Sequence, residues 1–445
     1  MIRGRAIALA LLLVALLAGC SGTGVIRYTF VDHVSAPPVD GVPSVGAAPL
    51  LGEFVVPTTL VPDVAYLAAL ERRGRLRDSA GNAEARAYIV ARLRAAGLAP
   101  LFGDSFEQAT YSEPGKAGDA LRRHGTNIGG MFRADDPDAE WIALVAHYDH
   151  LGDVDGAVLP GADDNASSVA LLLALADALG RNRPSVKRHV VVLFPDAEEP
   201  PDVRTDRMGS SWFWRHPPLP GDRLHLAIVL DLMGGRASQE MRAVGLGDAV
   251  YVLGAEASRP LARLIRTLPS IDDVEPVLVS LPMIEGMPYQ PGRRFARSDY
   301  HGLREHLGRP FVFLTTGRTE TYHTERDTAA TLDYGRLGRL ARWVAMLAIQ
   351  AADTDDRLAW TDFVADPVAD ARAYVRMAAG LGQVTRFPWL LRRALAADRR
   401  TVERLLHRWE EGTPPTVDSY RTLQLASLRL QGAMWRPATW WFALW

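Results

Sequence analysis

The sequence has little of several features that mark particular protein classes. Its 445 residues include one cysteine, Cys20, so no disulfide can form within the chain. The formal net charge is −2 and no basic block stands out, so we expect no nucleic acid partner. The one long apolar stretch, Ala6–Leu16, is too short for a comfortable membrane span. The composition indicates a globular chain with one large domain and an appendage, or with two domains.

The N-terminal segment has the layout of an export signal, with two arginines before the apolar run. It ends in Leu17-Ala18-Gly19-Cys20, which resembles the lipobox of bacterial lipoproteins. The resemblance implies that residues 1–20 are a signal peptide and that lipidated Cys20 anchors the protein to a membrane. Ser21 favours the outer membrane of a bacterial cell envelope, with the protein facing the periplasm. The alternative is an ordinary secretory signal in which Cys20 is incidental.

Short apolar strands alternate with helices in a predicted domain at residues 57–352, after a Pro-, Gly- and Val-rich tether at 21–56. This alternation predicts an α/β fold with a mostly parallel central sheet and helices on both faces. The predicted strands are Ile142–Ala146, His189–Phe194, Leu226–Leu230, Val250–Leu253 and Phe311–Thr315. The predicted helices include Val61–Leu76, Asn82–Ala96, Ser167–Leu179, Ser258–Thr267, Asp299–His306 and Gly335–Ala352.

The character of the sequence changes at residue 353, after which no strand-like run occurs. Residues 353–445 are predicted to form a C-terminal helical appendage. Its end carries four tryptophans, which either pack against the main domain or contact a membrane interface. The predicted helices are Pro367–Leu381, Trp389–Ala397, Thr401–Trp409 and Ser419–Met434.

Side chains of the types that bind metals follow one predicted strand after another. His147 comes after the first strand, and Asp164 lies in the loop that leads into the next helix. The C-terminal ends of parallel strands meet at one edge of the sheet, where such folds bind ligands. Burying this many polar groups without partners would be costly, which favours a functional explanation. The full set is His147, Asp164, Glu198, Glu199, Asp231 and His323.

This set of side chains suits zinc, which accepts imidazole and carboxylate ligands. Two zinc ions about 3.5–4 Å apart can share one carboxylate and one water. One carboxylate of the Glu198-Glu199 pair would then remain to deprotonate that water. Asp149 lies two residues after His147, on the same side of an extended chain, and is placed to accept the other ring N–H of His147.

These motifs resemble those of the co-catalytic di-zinc aminopeptidase family, a group of zinc exopeptidases that also includes glutamate carboxypeptidase-like enzymes. The similarity covers roughly residues 60 to 350 and implies the zinc exopeptidase fold, two Zn²⁺ and peptide substrates. The matching segments are His147–Gly152, Gly161–Ser167, Ala197–Glu199, Asp231 and Tyr322–Thr324, with weaker matches at Arg77–Asn82 and Thr126–Ile128.

The resemblance assigns five metal ligands. His147 would bind one zinc and His323 the other, while Asp164 would bridge the two. Glu199 and Asp231 would each complete one of the two sites.

The resemblance also assigns three catalytic roles. Glu198 would be the general base and then the general acid, and Asp149 would orient a metal-binding histidine. Tyr322 would help to stabilise the tetrahedral oxyanion. By strand alternation His150 should point away from the metals, and Asp163 should only cap the helix that follows.

Three departures from the family pattern stand out. The segment Pro200–Met208 lengthens the loop between the glutamate pair and Gly209-Ser210, which could reshape the substrate pocket. The motif Ser298-Asp299-Tyr300-His301 differs from the usual Ser-Asp-His, so no role is assigned to His301. The C-terminal appendage has no counterpart in the family core.

The sequence therefore predicts a zinc-dependent exopeptidase, and most directly an aminopeptidase. In it a water between two metals, activated by a glutamate base, would attack the scissile peptide bond. Two alternatives stay open at this point. One is a glutaminyl cyclase-like transferase, which would use one zinc, and the other is a non-catalytic lipoprotein that binds peptides through the appendage.

Overall fold

A computed structural model describes residues 27–28, 59–112, 122–285, 288–289, 298–361, 364–382 and 387–435. The predicted signal peptide, nearly all of the predicted tether and the tryptophan-rich end at 436–445 lie outside these residues. Within them, no helix is both long and apolar enough to cross a membrane.

In the described residues, nine strands form one mixed sheet. Its strand order is β8-β7-β9-β6-β4-β5-β3-β1, and β2 pairs with β3. The strands are β1 (Ala99–Pro100), β2 (Glu107–Ser112), β3 (Arg122–Phe132), β4 (Trp141–Val145), β5 (His189–Phe194), β6 (Leu224–Leu230), β7 (Ala249–Leu253), β8 (Glu275–Leu278) and β9 (Phe311–Thr315).

The centre of the sheet is parallel. Strands β5, β4, β6 and β9 run in one direction, so their C-terminal ends lie on one edge. The antiparallel pairings are at the flanks, where β3 pairs with β5 and β7 pairs with β9. The predicted α/β fold is thus confirmed, with a mixed sheet whose four central strands are parallel and position the site, while β7 and β8 form a further parallel pair at one edge.

The central strands are buried on both faces, which is why they appear in the sequence as continuous apolar runs. In β4, Ile142 and Leu144 face one core, while Trp141, Ala143 and Val145 face the other. The first core is closed by helices that follow β4 and β9, and the second by the short helix after β5 and by the C-terminal helices.

Twelve helices accompany the sheet in the described residues. They are α1 (Leu60–Leu67), α2 (Ala80–Ala95), α3 (Ser167–Asn182), α4 (Gly209–Arg215), α5 (Gln239–Ala243), α6 (Arg259–Thr267), α7 (Leu281–Glu285), α8 (Tyr300–Gly302), α9 (Tyr334–Asp353), α10 (Pro367–Gly382), α11 (Trp389–Glu410) and α12 (Val417–Trp435). Two short hydrogen-bonded strand pairs lie outside the main sheet: Arg27–Tyr28 with Pro288–Tyr289, and Gly152–Val154 with Ala157–Leu159.

The predicted helical region after residue 353 is confirmed as α10 to α12. It differs from the prediction in one place, because the two helices expected at 389–409 are the single helix α11. A second difference is at residues 61–76, where α1 ends at Leu67 and a 3₁₀ turn, Leu70–Arg75, takes over. The 3₁₀ turn matters for the site because it places Arg75 beneath it.

Candidate metal centre

Each of the four parallel central strands delivers polar side chains at its C-terminal end. His147 lies two residues after β4, and Asp231 directly follows β6. Glu198 and Glu199 follow β5, and His323 comes from the loop after β9. The predicted ligands therefore meet at the edge of the sheet where an α/β fold places its ligands. Asp164 joins them from the turn just before α3.

A first group of ligand atoms surrounds the His147 ring. His147 Nε2 lies 3.6 Å from Asp164 Oδ1 and 3.6 Å from Asp231 Oδ1. Glu198 Oε2 is 3.8 Å from the same ring nitrogen. The ligand atoms of His147, Glu198 and Asp231 are close enough together to hold one metal ion.

A second group lies on the other side of Asp164. His323 Nε2 is 3.1 Å from Asp164 Oδ2 and 3.5 Å from Glu199 Oε2. Two ligands on one tetrahedral zinc, each bonded at about 2.0–2.2 Å, are roughly 3.3 Å apart. The spacings in both groups are close to this value, so each group fits one zinc ion.

Asp164 presents one carboxylate oxygen to each group, Oδ1 towards His147 and Oδ2 towards His323. A carboxylate that faces two metal positions with its two oxygens is the arrangement that a bridging ligand requires. The backbone around Asp164 departs from helical geometry, with φ −106° and ψ 92°, before α3 begins. This turn directs the side chain into the site.

Three of the predicted ligand atoms are buried and have no hydrogen-bond partner among the described residues. They are His147 Nε2, Asp231 Oδ1 and His323 Nε2. Buried polar atoms are nearly always paired, so unpaired ones that converge on the same small volume call for an explanation. Coordination of a metal ion would explain why these three atoms are unpaired, and their positions are compatible with it.

The charge balance of the site points the same way. Four carboxylates, those of Asp164, Glu198, Glu199 and Asp231, share the volume with the imidazoles. Burial raises the pKa of Glu198 well above its ordinary value, with Glu199 and Asp231 contributing to the rise and His147 opposing it. Divalent cations would relieve this excess of negative charge.

Asp149 contacts both the metal-binding histidine and the glutamate pair. His147 Nδ1 lies 3.2 Å from the backbone oxygen of Asp149 and 3.6 Å from its carboxylate. The two carboxylate oxygens accept hydrogen bonds from the backbone N–H groups of Glu198 (3.1 Å) and Glu199 (3.2 Å). Asp149 therefore does contact His147 as predicted, but through its backbone oxygen and not through its carboxylate. The carboxylate instead holds the backbone of the glutamate pair, which was not predicted.

Asp327 and Arg75 support the site without having been predicted. Asp327 accepts hydrogen bonds from the backbone N–H groups of Asp163 (2.9 Å) and Asp164 (3.1 Å). The guanidinium of Arg75 donates to the backbone carbonyls of four residues around the site. For Asp327 a weak signal existed, since it stands four residues after His323 in the same polar segment.

Tyr322 stacks on the neighbouring His323, with ring centroids 3.8 Å apart and planes at 17°. The Arg318 guanidinium lies over its other side, 4.3 Å from the ring centroid. Burial raises the pKa of Tyr322 above its ordinary value, so the phenol keeps its proton and can donate a hydrogen bond. Its predicted oxyanion role stays a prediction.

Two expectations about the opening motif are wrong. His150 does not point away, since its Nδ1 lies 2.8 Å from Glu199 Oε1. The reason is that β4 ends at Val145, so strand alternation does not extend to residue 150. Asp163 does not cap α3 either, because its Oδ1 accepts a hydrogen bond from the Gly234 backbone N–H at 2.8 Å.

The lengthened loop after the glutamate pair is tied down at Asp202. This carboxylate is 3.0 Å from the guanidinium of Arg77, 3.0 Å from Arg207 and 3.0 Å from His124 Nε2. Burial alone would raise the pKa of Asp202, but these partners hold it below its ordinary value. His301 is part of neither group of metal-ligand atoms.

Comparisons with known proteins give a matching family and a similar protein. Residues 127–348 match the family described as "Peptidase family M28". Over 228 residues, 47% of this chain and 67% of the relative, the chain is 30% identical to "Uncharacterized protein YfbL" of Escherichia coli (strain K12).

Two solved structures share the fold. LapB from Legionella pneumophila superposes with a TM-score of 0.53 at 16% identity, over 74% of this chain and 79% of LapB. The LapA aminopeptidase from the same organism gives a TM-score of 0.52 at 14% identity, over 72% of this chain and 79% of LapA.

Proposed function

Because the chain belongs to peptidase family M28, we propose that it is a zinc-dependent exopeptidase that acts as an aminopeptidase. The observation that carries the proposal is Asp164, whose two oxygens each face a separate group of ligand atoms. The choice of an aminopeptidase among exopeptidases is supported by the fold shared with LapA, which is described as an aminopeptidase.

The residues that would hold the two metals are those the sequence predicts. His147 and Asp231 would hold one Zn²⁺, His323 and Glu199 the other, and Asp164 both. When bound, the pair of Zn²⁺ would polarise the scissile carbonyl and make water acidic enough to ionise near neutral pH. Proton transfer and stabilisation of the oxyanion are assigned to the protein's own side chains.

Glu198 is the proposed base. Its side chain is 7% exposed, and its Oε2 lies beside His147, at the edge of the first ligand group. Burial raises the pKa of Glu198, so its carboxylate takes up a proton more readily than an exposed one. Glu198 would take a proton from the attacking water and deliver it to the leaving amine.

Asp149 holds that base in place. It fixes the backbone of Glu198 and Glu199 through two hydrogen bonds, while its main-chain oxygen lies beside the Nδ1 of His147. Because the Asp149 carboxylate holds the backbone of both the base, Glu198, and the metal ligand Glu199, the distance between these two residues stays constant. Tyr322 is the proposed donor to the developing oxyanion.

We expect Glu198→Ala to retain zinc and to lose most of its peptidase activity, by about 10²–10⁴-fold in kcat, since only proton transfer is removed. The test measures zinc content and release of the terminal residue from a peptide library by mass spectrometry. The matched control is Glu411→Gln, an exposed glutamate at the end of α11. Unchanged hydrolysis by the Glu198→Ala variant would remove this residue from the mechanism.

We also propose that the protein is a lipoprotein, anchored through lipidated Cys20 to a bacterial outer membrane and facing the periplasm. The segment Leu17-Ala18-Gly19-Cys20 supports the proposal. In this location the substrates would be peptides in the cell envelope.

A further inference from the structure

His150 is a third histidine within the site, and it has no role in the proposed mechanism. Its side chain is fully buried. The ring Nδ1 lies 2.8 Å from Glu199 Oε1 and 3.9 Å from Asp164 Oδ2. Together with Asp164 and Glu199 it forms a group close enough to hold a metal ion, so it is either a ligand or a partner of a ligand.

The distance to Glu199 separates these two possibilities. Two ligands on the same tetrahedral zinc are roughly 3.3 Å apart, as estimated from bond lengths of about 2.0–2.2 Å. At 2.8 Å, His150 Nδ1 and Glu199 Oε1 are at hydrogen-bonding distance, with no room for a metal ion between them. A carboxylate that binds a metal accepts hydrogen bonds, so His150 Nδ1 is the donor to Glu199 and this nitrogen is not itself a metal ligand.

The two oxygens of Glu199 are therefore used differently. Oε1 accepts from His150, while Oε2 lies 3.5 Å from His323 Nε2, within the second ligand group. One oxygen of Glu199 is thus already engaged by His150, and the other faces the second metal position.

The packing around the ring fixes this arrangement. A side chain at Gly161 would place its Cβ 2.5 Å from His150 Cγ, so only glycine leaves room for the ring. Gly161 also has φ +62°, a conformation that favours glycine. On another side the His323 ring stands edge-on, with a centroid distance of 5.7 Å. The imidazole therefore has one orientation, with Nδ1 towards Glu199.

We propose that His150 is a positioning residue for the second metal: its Nδ1–H occupies Glu199 Oε1 and so leaves Oε2 alone to bind zinc. This inference rests on the proposed two-zinc site. A hydrogen bond to a ligating carboxylate orients the ligand and prevents it from rotating away from the metal. His150 would thereby set the affinity of one zinc site through Glu199.

Two amide substitutions test the role, because they place a donor at different points. H150N puts an amide N–H close to the position of Nδ1, whereas H150Q puts it near the position of Nε2 and leaves Glu199 Oε1 without a donor. The measurement is zinc affinity, by competition with a chromophoric chelator, on the full chain without peptide. The matched control is His225→Ala, a buried histidine at the start of β6, away from the site.

We expect H150Q to weaken one of the two zinc equivalents by about 10–100-fold and to leave the other nearly unchanged. H150N should stay within about threefold of the parent at both sites, and so should the control, since neither removes the donor to Glu199.

Equal weakening in H150N and H150Q would overturn the proposal, because a directly bound imidazole is lost in both. Parental zinc affinity in H150Q would overturn it as well. Since zinc binding is read without turnover, failure of the proposed function is separate: a parent chain that binds two zinc ions but hydrolyses no peptide leaves the His150 result intact.

Discussion

Arg75 is the single side chain that joins most parts of the site at the residue scale. Its Nε donates to the Tyr148 carbonyl at 2.9 Å, and its terminal nitrogens donate to Leu67 (2.6 Å), Pro160 (2.7 Å) and Gly161 (2.9 Å). The side chain is 0% exposed. It therefore ties the loop that carries His147 and His150 to the loop that leads to Asp164.

We expect Arg75→Met to lower the free energy of unfolding by roughly 3 kcal/mol or more, because it leaves several buried carbonyls without donors. The measurement is urea unfolding, followed by circular dichroism. The matched control is Arg73→Met, where the arginine is 65% exposed and pairs with Asp153. A surface pair of that kind is worth about 0–1 kcal/mol. Equal midpoints for the two variants would contradict the role of Arg75.

At the scale of elements, the C-terminal helices are hydrogen-bonded to residues 280–283, at and before the start of α7. Gln424 of α12 donates to the Pro282 carbonyl at 3.1 Å, and Ser427 donates to Met283 at 3.0 Å. In α10, Asp370 accepts from the Ser280 backbone N–H at 2.7 Å and from the Tyr420 hydroxyl at 2.6 Å. The helical region is thus joined to α7 by buried polar contacts as well as by the apolar core.

Asp370 makes this junction sensitive to pH. Burial raises its pKa to about 7, against the opposing effect of its hydrogen bonds from Ser280 and Tyr420. The folded state therefore holds the proton more tightly than the unfolded state, whose carboxyl has a pKa of about 3.9. The stabilising effect of protonation is fully present below pH 4 and is lost as the pH rises to about 7, up to roughly 4 kcal/mol.

We expect Asp370→Asn to remove this part of the pH dependence, because an amide keeps one acceptor and does not titrate. Relative to the variant, the parent should lose stability between pH 4 and pH 7, as measured by urea unfolding at a series of pH values. Asp418→Asn, an exposed residue of α12, is the control that should follow the parent. Parallel curves for the parent and Asp370→Asn would contradict the assignment.

How far the sequence predicts the fold depends on where each element is buried. The central strands β4, β5, β6 and β9 were predicted because burial on both faces makes them continuous apolar runs. By contrast, β3 was not predicted, since Arg122–Phe132 contains three glycines and several polar residues. Its pairing with β2 and β5, and not its composition, makes it a strand.

The same distinction applies to the site. Residues that follow parallel strands, such as His147 and Asp231, can be predicted because the fold brings strand ends together. Arg75 and His150 could not, since their roles depend on contacts between loops that no spacing encodes, and for Asp327 the only signal was its closeness to His323 in the sequence. Strand geometry predicts the wrong direction for the His150 side chain, because the strand ends at Val145.

At the scale of the whole molecule, one sheet carries two cores and the site lies at its edge. The second core is shared between β4, β5 and β6 on one side and α10 to α12 on the other. The helical region is therefore packed on the sheet that positions the metal ligands. The proposed lipid anchor, Cys20, is near the N-terminus of the sequence, far from the C-terminal helices along the chain. It would connect this body to a membrane.

We expect Cys20→Ala to abolish lipid attachment, because the modified thiol is the anchor. In a bacterial host labelled with a palmitate analogue, the parent should incorporate label and fractionate with membranes. The variant should do neither. A parent chain that is exported without label would leave Cys20 as an incidental residue of an ordinary secretory signal.

The central claim is a two-zinc exopeptidase site bridged by Asp164, and zinc titration of the metal-free chain tests it most directly. The rate at which a peptide loses its N-terminal residue is measured by mass spectrometry after each addition of Zn²⁺. We predict that hydrolysis rises until two equivalents per chain are bound and then levels off. Activity that is complete at one equivalent, with an N-terminal glutamine cyclised and no residue released, would contradict the account.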